Sequence, residues 1–205
     1  MNRASWRARI LTRVLLITAG AAVCAAGNSA ETGAAGAPSA ASTNTVRVLH
    51  RSITFRADFE RFTGSLEKIL GHFPPGVQQD IVERPRVAEE RLKAAEGIQG
   101  LMIFYVFDHG AALNMLGARR NARQYLIGNP LTAIQMTQHD IRAALYAPLR
   151  VLVYEGEEGA TTVEYDQPSS LFGQFEREDV TRVAVSLDEK LERALEQAAA
   201  DASHR

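Results

Sequence analysis

The stretch Arg150-Val151-Leu152-Val153-Tyr154-Glu155, then Gly156 to Gly159, then Thr161-Thr162-Val163-Glu164-Tyr165 decides the fold class. Two runs rich in β-branched and aromatic residues flank a Gly-bounded turn, which is the signature of a hairpin. A hairpin inside a chain that also carries helical patterns argues an α+β domain. Outward from it, Ser169 to Phe175 reads as a short helix, with Ser169 or Asp166 as its cap, and Thr181 to Val185 as an edge strand. Ser186 and Glu189 then have capping-box spacing, and Leu187, Leu191, Leu195 and Ala198 recur every four residues or fewer, so a final helix is expected there.

Toward the N-terminus, Leu131 to Tyr146 reads as a helix closed by Pro148. Gln124 to Ile127 is a strand stopped by Gly128-Asn129-Pro130, and Ala111 to Leu116 is a short helix. The unbroken run Leu101 to Phe107 predicts a buried central strand. Pro85 to Glu96 predicts a charged helix whose Glu and Arg residues form a solvated face. Phe59, Phe62, Leu66, Ile69, Leu70 and Phe73 make an apolar helical stripe behind Asp58, a good N-cap, and end at Pro74-Pro75-Gly76. His50 to Ala57 alternates as a strand. The expected architecture is one compact α+β domain over residues 48–201, a mixed or antiparallel sheet with helices on one side.

The chain has 205 residues, 46% hydrophobic and 23% charged, with 23 basic against 24 acidic side chains. That composition suits one globular domain and excludes a disordered chain. The balanced charge offers no basic face for nucleic acid. Residues 1–30 have the layout of a secretory signal: Arg3, Arg7, Arg9 and Arg13, an apolar Val14 to Ala26, and small residues that place the cut after Ala25 or Ala30. The apolar run is short for a membrane span, so contact with a membrane is expected only during export. Removal of residues 1–30 takes four of the 23 basic residues and none of the 24 acidic ones, so the remaining chain carries −5. It also takes Cys24, the single cysteine, which suits a periplasmic or secreted protein. Residues 31–47, rich in Ala, Gly, Ser and Thr, read as a tether.

Four stretches in order, Phe107-Asp108-His109-Gly110, Gly128-Asn129-Pro130, Pro148 to Glu155 and Tyr165-Asp166-Gln167-Pro168, resemble the bacterial "domain of unknown function 302" family over His50 to Ala199. The resemblance implies a compact α+β domain that often pairs as a homodimer. It implies no reaction. It also marks residues 74–99 as an inserted charged segment, for which covering a pocket, forming an interface or doing neither are open alternatives.

The polar groups at strand ends are the candidate ligand contacts: Asp108, His109, Asn129, Arg150, Tyr165 and Asp166. Their clustering motivates a shared cleft in a non-enzymatic module that binds a small molecule or a second copy of the chain. The competing readings are local: Asp108 and Asn129 as helix caps, with Pro130 at the first helical position. Exposed amides after Asn129 would alternatively hold an anion. A small hydrolase or isomerase is the enzymatic alternative, with His109 as general base beside Asp108 or Asp166 and with Asn129 or Tyr165 stabilising charge. A structural dimer with a large apolar patch is the third reading. His139 and Asp140 lie 30 residues from the Asp108-His109 pair without metal-motif spacing, and Met102, Met115 and Met136 read as core. No metal or cofactor is expected.

Overall fold

The computed structural model describes residues 40–203, and Asn44 onward forms one folded unit. The expected signal segment lies outside the described residues. In chain order the elements are β1 (His50–Phe55), α1 (Phe59–Ile69), β2 (Gly71–His72), α2 (Val77–Glu83), α3 (Pro85–Ala95), β3 (Met102–Asp108), α4 (His109–Leu113), β4 (Ala122–Gly128), α5 (Pro130–Thr137), β5 (Leu149–Glu155), β6 (Thr161–Asp166), α6 (Pro168–Phe172) and α7 (Glu178–Ser203). Short 3₁₀ turns join several of them. The strands form one sheet in the order β1-β6-β5-β4-β3-β2. All neighbours run antiparallel except β2 and β3, making the sheet mixed and the domain α+β.

The hairpin is β5–β6, with Val153 opposite Val163 and Glu155 opposite Thr161. Alternation along its strands sorts the two faces. Leu149, Val151, Val153, Val163 and Tyr165 enter the main core, where α1 brings Phe59, Phe62 and Leu66 and α7 brings Leu187, Leu191 and Leu195. Asp58 caps α1 by accepting from the Arg61 amide at 3.0 Å. Met102 and Ile103 are consecutive on β3 yet enter different cores, as alternate strand residues must. Ile103 joins the main core, and Met102 packs with Val77, Ala88 and Leu92 of α2 and α3. Those two helices therefore cover the end of the sheet's second face. Buried Asp80 ties them together by accepting from Arg84 and Arg91, and the Arg91 guanidinium above all holds its carboxyl below the usual range.

Several expectations are corrected. Leu101 to Phe107 is not a central strand, because β2 pairs only with Met102 and Ile103. Beyond them β3 is an edge, and Tyr105 and Phe107 are 57% and 42% exposed. Thr181 to Val185 is helical, inside α7. A five-residue window there satisfies alternation, but the buried positions Val180, Ala184, Leu187 and Leu191 follow the helical period over a 26-residue element. Ser186 is consequently interior and forms no capping box; Glu178 and Asp179 occupy the first turn, where the helix dipole favours acids.

Leu131 to Tyr146 is not one helix. α5 stops at Thr137, and Asp140 caps a 3₁₀ turn over Ile141–Tyr146. The Asp140 carboxylate accepts from the Arg142 amide at 3.0 Å and from its guanidinium at 2.6 Å, a local alternative to helix continuation. Arg142 draws that carboxyl down to about 2. Neither Ser169 nor Asp166 caps α6: Pro168 opens it and Asp188 of α7 takes the Ser169 amide at 2.8 Å. Met115 is 84% exposed rather than core. β2 and α2 have no counterpart in the sequence reading.

On the sheet's open face, His50 stands between two carboxylates. Nδ1 lies 3.2 Å from Asp166 and Nε2 lies 3.4 Å from Glu164. A neutral imidazole has one N–H, so only the imidazolium donates to both. The Asp166 contact, followed by Glu164, raises its pKa above the ordinary 6.5. A raised folded-state pKa means the stabilisation is complete below 6.5 and is lost as pH rises through the folded value. The stability gap between the native chain and His50→Gln is therefore expected to be widest near pH 5 and to close by pH 9, read from urea midpoints across that range. An equal gap at both ends would show that His50 acts without its charge.

Candidate functional site

The candidate residues are not assembled into one cleft. Asp108 lies opposite Arg123 on β4, and Asn129 follows Gly128, which lies opposite Met102 at the other end of β3. Six residue steps along β3 at roughly 3.3 Å each separate the two ends by about 20 Å. Asp108 caps α4 through the Ala111 amide at 2.7 Å. His109 is exposed, with its ring edge against Phe107 at 4.7 Å. It makes no hydrogen bond to an acid among the described residues, so the arrangement that the general-base alternative needs is not formed. Arg150 and Asp166 share the open sheet face, 3.6 Å apart. Tyr165 is adjacent to Asp166 in sequence but points into the main core, 5% exposed, and burial raises its pKa. No cluster of three or more metal-ligating side chains occurs among the described residues.

Asn129 does border a cavity. It is 6% exposed, and its Oδ1 and both of its amide donors are engaged. Its Oδ1 accepts from the Leu131 amide at 2.8 Å. Its Nδ2 donates to Glu96 at 2.6 Å and to the Gly100 carbonyl at 2.8 Å. Asn129 thus both caps α5 and fastens that cap to the end of α3. The cavity beside it holds about 210 Å³. Phe104 of β3, Ala133 and Met136 of α5, Pro148 before β5, Phe172 of α6 and Leu187 of α7 supply its walls. Phe104 reaches it because β3 carries a bulge between Ile103 and Tyr105, which re-aims that side chain. Phe104 also stacks on Phe73 at 4.5 Å, fixing the ring.

Sequence reasoning missed Phe104, Ala133, Met136, Phe172 and Leu187 as lining residues, since none of them belongs to the four stretches that carry the resemblance. It also missed a polar cluster beneath α1. Arg123 donates to Thr63 at 2.7 Å and to Glu60 at 3.0 Å, with its guanidinium 5.2 Å from the Phe59 ring. Tyr125 donates to Glu67 at 2.7 Å, and burial, then the Glu67 charge, pushes its pKa up. These groups satisfy one another and line none of the larger cavities, so they act as a clamp between α1 and β4.

The structural relatives agree with this fold. A family model described as "Domain of unknown function DUF302" matches residues 82–198, more than half of the chain. The match begins at Val82 and so takes in α3. No curated protein matches the chain. A crystal structure of an uncharacterised conserved DUF302 protein from Bacillus stearothermophilus is similar at 15% identity and a TM-score of 0.52. The likeness covers 73% of this chain and 97% of that one. Two of the four stretches that carry the resemblance, Gly128-Asn129-Pro130 and the start of Pro148 to Glu155, border the cavity. Among the described residues no helix is long and apolar enough to cross a membrane. The chain belongs to the DUF302 family.

Proposed function

We propose that the protein is a binding module that takes a small apolar molecule into the cavity beneath α5. The observation that carries this reading is the cavity itself: about 210 Å³ walled by side chains from six separate elements and the segment before β5. A dry apolar cavity of about 150 Å³ is large enough for a benzene-sized guest. The walls stand on packed elements, since Met136, Phe172 and Leu187 are at most 4% exposed. Such a site is built before its ligand arrives, which keeps the ordering cost of binding small.

The thermal midpoint is the test. Toluene is expected to raise it in the native chain, because a guest that binds only the folded state stabilises that state by mass action. Ala133→Phe, which fills the cavity, is expected to abolish the rise through at least about a tenfold loss of affinity, some 1.4 kcal/mol. An unchanged native midpoint at saturating toluene would refute the proposal.

The free edge of β3 favours a second reading alongside the first, that two copies pair. From Phe104 to Asp108 that edge has no strand beside it among the described residues, and exposed Tyr105 and Phe107 flank it. Identical strand edges are self-complementary across a twofold axis. Light scattering is expected to give the mass of a dimer, and Tyr105→Glu the mass of a monomer. A monomeric native chain at working concentration would oppose pairing.

A further inference from the structure

The chemistry around the cavity is selective about charge. The amides of the first turn of α5 are the obvious anion donors, and each is taken. Pro130 has no N–H, Leu131 donates to the Asn129 side chain, and Thr132 and Ala133 both donate to the Asn129 carbonyl, at 3.1 and 2.9 Å. The Asn129 amide donors are spent on Glu96 and Gly100. Among the described residues no Lys, Arg or His lines the cavity. The mouth of the cavity is half open, so an anion placed there would keep part of its hydration, but it would meet no cationic side chain and no free first-turn amide. The sequence alternative of an anion held by these amides is thus closed by the cap itself.

Asn129 and Thr132 are the polar side chains among the described lining residues. Thr132 lines the cavity, and its hydroxyl makes no hydrogen bond to another described residue. A hydroxyl both donates and accepts, so it serves an alcohol, a phenol or a carbonyl equally well. Resting on the binding reading above, we infer that the ligand is a small neutral molecule with an apolar body and one hydrogen-bonding group, and that Thr132 is the residue that recognises this group.

Three probes with the same ring separate the possibilities: phenol, toluene and benzoate, titrated at pH 7 onto the native chain and onto Thr132→Val. On the native chain, phenol is expected to bind about fivefold more tightly than toluene, the worth of one net hydrogen bond. Benzoate is expected not to bind at matched concentration. Thr132→Val, which keeps the side chain's shape, is expected to bind toluene as the native chain does and to lose the phenol preference. Benzoate binding as tightly as phenol would overturn the inference while leaving the cavity a binding site, and this comparison needs no variant. Equal affinities for phenol and toluene on the native chain would overturn the role of Thr132. If no probe binds, the binding reading itself falls.

Discussion

Gly97→Ala is expected to destabilise the protein by about 3 kcal/mol or more, the range of severe overpacking. A Cβ at Gly97 would sit 2.0 Å from the Gly71 nitrogen, 2.4 Å from the Leu70 carbonyl carbon and 2.5 Å from the Ile69 oxygen. Every one of these is backbone, so no rotamer change relieves the clash. Gly71 is the other half of the contact, since a Cβ there would meet the Ala95 oxygen at 1.8 Å. The two glycines let the chain leaving α3 cross the chain leaving α1, and both amides donate to the same Leu101 carbonyl, at 3.0 and 3.1 Å. The effect should reach the cavity, because Glu96 and Gly100, on either side of Gly97, hold Asn129. Gly64→Ala is the control. It lies inside α1 with nothing within 4 Å of its added Cβ, and it should gain about 0.5–1 kcal/mol from helix propensity. Urea unfolding of both variants measures the contrast. A Gly97→Ala midpoint within error of native would mean that the two chains do not cross as closely as described.

Phe62→Ala is expected to cost about 3–5 kcal/mol, the range for removing a fully buried phenyl ring. Phe62 is 0% exposed, lies on the inner face of α1, and stacks on Phe55 of β1 with centroids 5.3 Å apart. Among the described residues β1 is an edge strand paired with β6 alone, so this ring is a main apolar tie between that edge and the helical layer. For a domain of this size the loss corresponds to a midpoint lower by about 10 °C. Calorimetry checks it, and a fall under about 1 kcal/mol would show that the site collapses without a cavity. Phe62→Leu, which retains most of the volume, should lose well under half as much.

What could be read from the sequence was local. Asp58, Asp108 and Asn129 cap helices because a cap needs only its own residue and an amide two or three positions on. The β5–β6 hairpin was equally legible, since its strands alternate and its turn lies between them. The failures came where distant residues decide. Thr181 to Val185 has a strand's alternation, yet it packs as part of α7 because Val180, Ala184 and Leu187 continue a helical stripe into the core. Leu101 to Phe107 has a buried strand's composition, yet α2 and α3 cover only its Met102 end.

The site was harder still. Asp108, Asn129 and Tyr165 stand at strand ends as expected, but antiparallel pairing sends the first two to opposite ends of the sheet and strand alternation turns the third inward. Phe104, Met136, Phe172 and Leu187 are separated by tens of residues, and an apolar side chain has the same sequence signature whether it fills a core or walls a cavity. Only Asn129 linked the two descriptions, and its role is to hold the cavity's frame.

The central claim is that the space beneath α5 receives a small apolar guest. The most direct measurement is an amide and methyl NMR titration of the native chain with toluene. The account predicts saturable shifts concentrated at Phe104, Gly128, Ala133, Met136, Phe172 and Leu187, the residues that line that space. Shifts that never saturate, or that gather on the exposed Tyr105 and Phe107 surface instead, would contradict it.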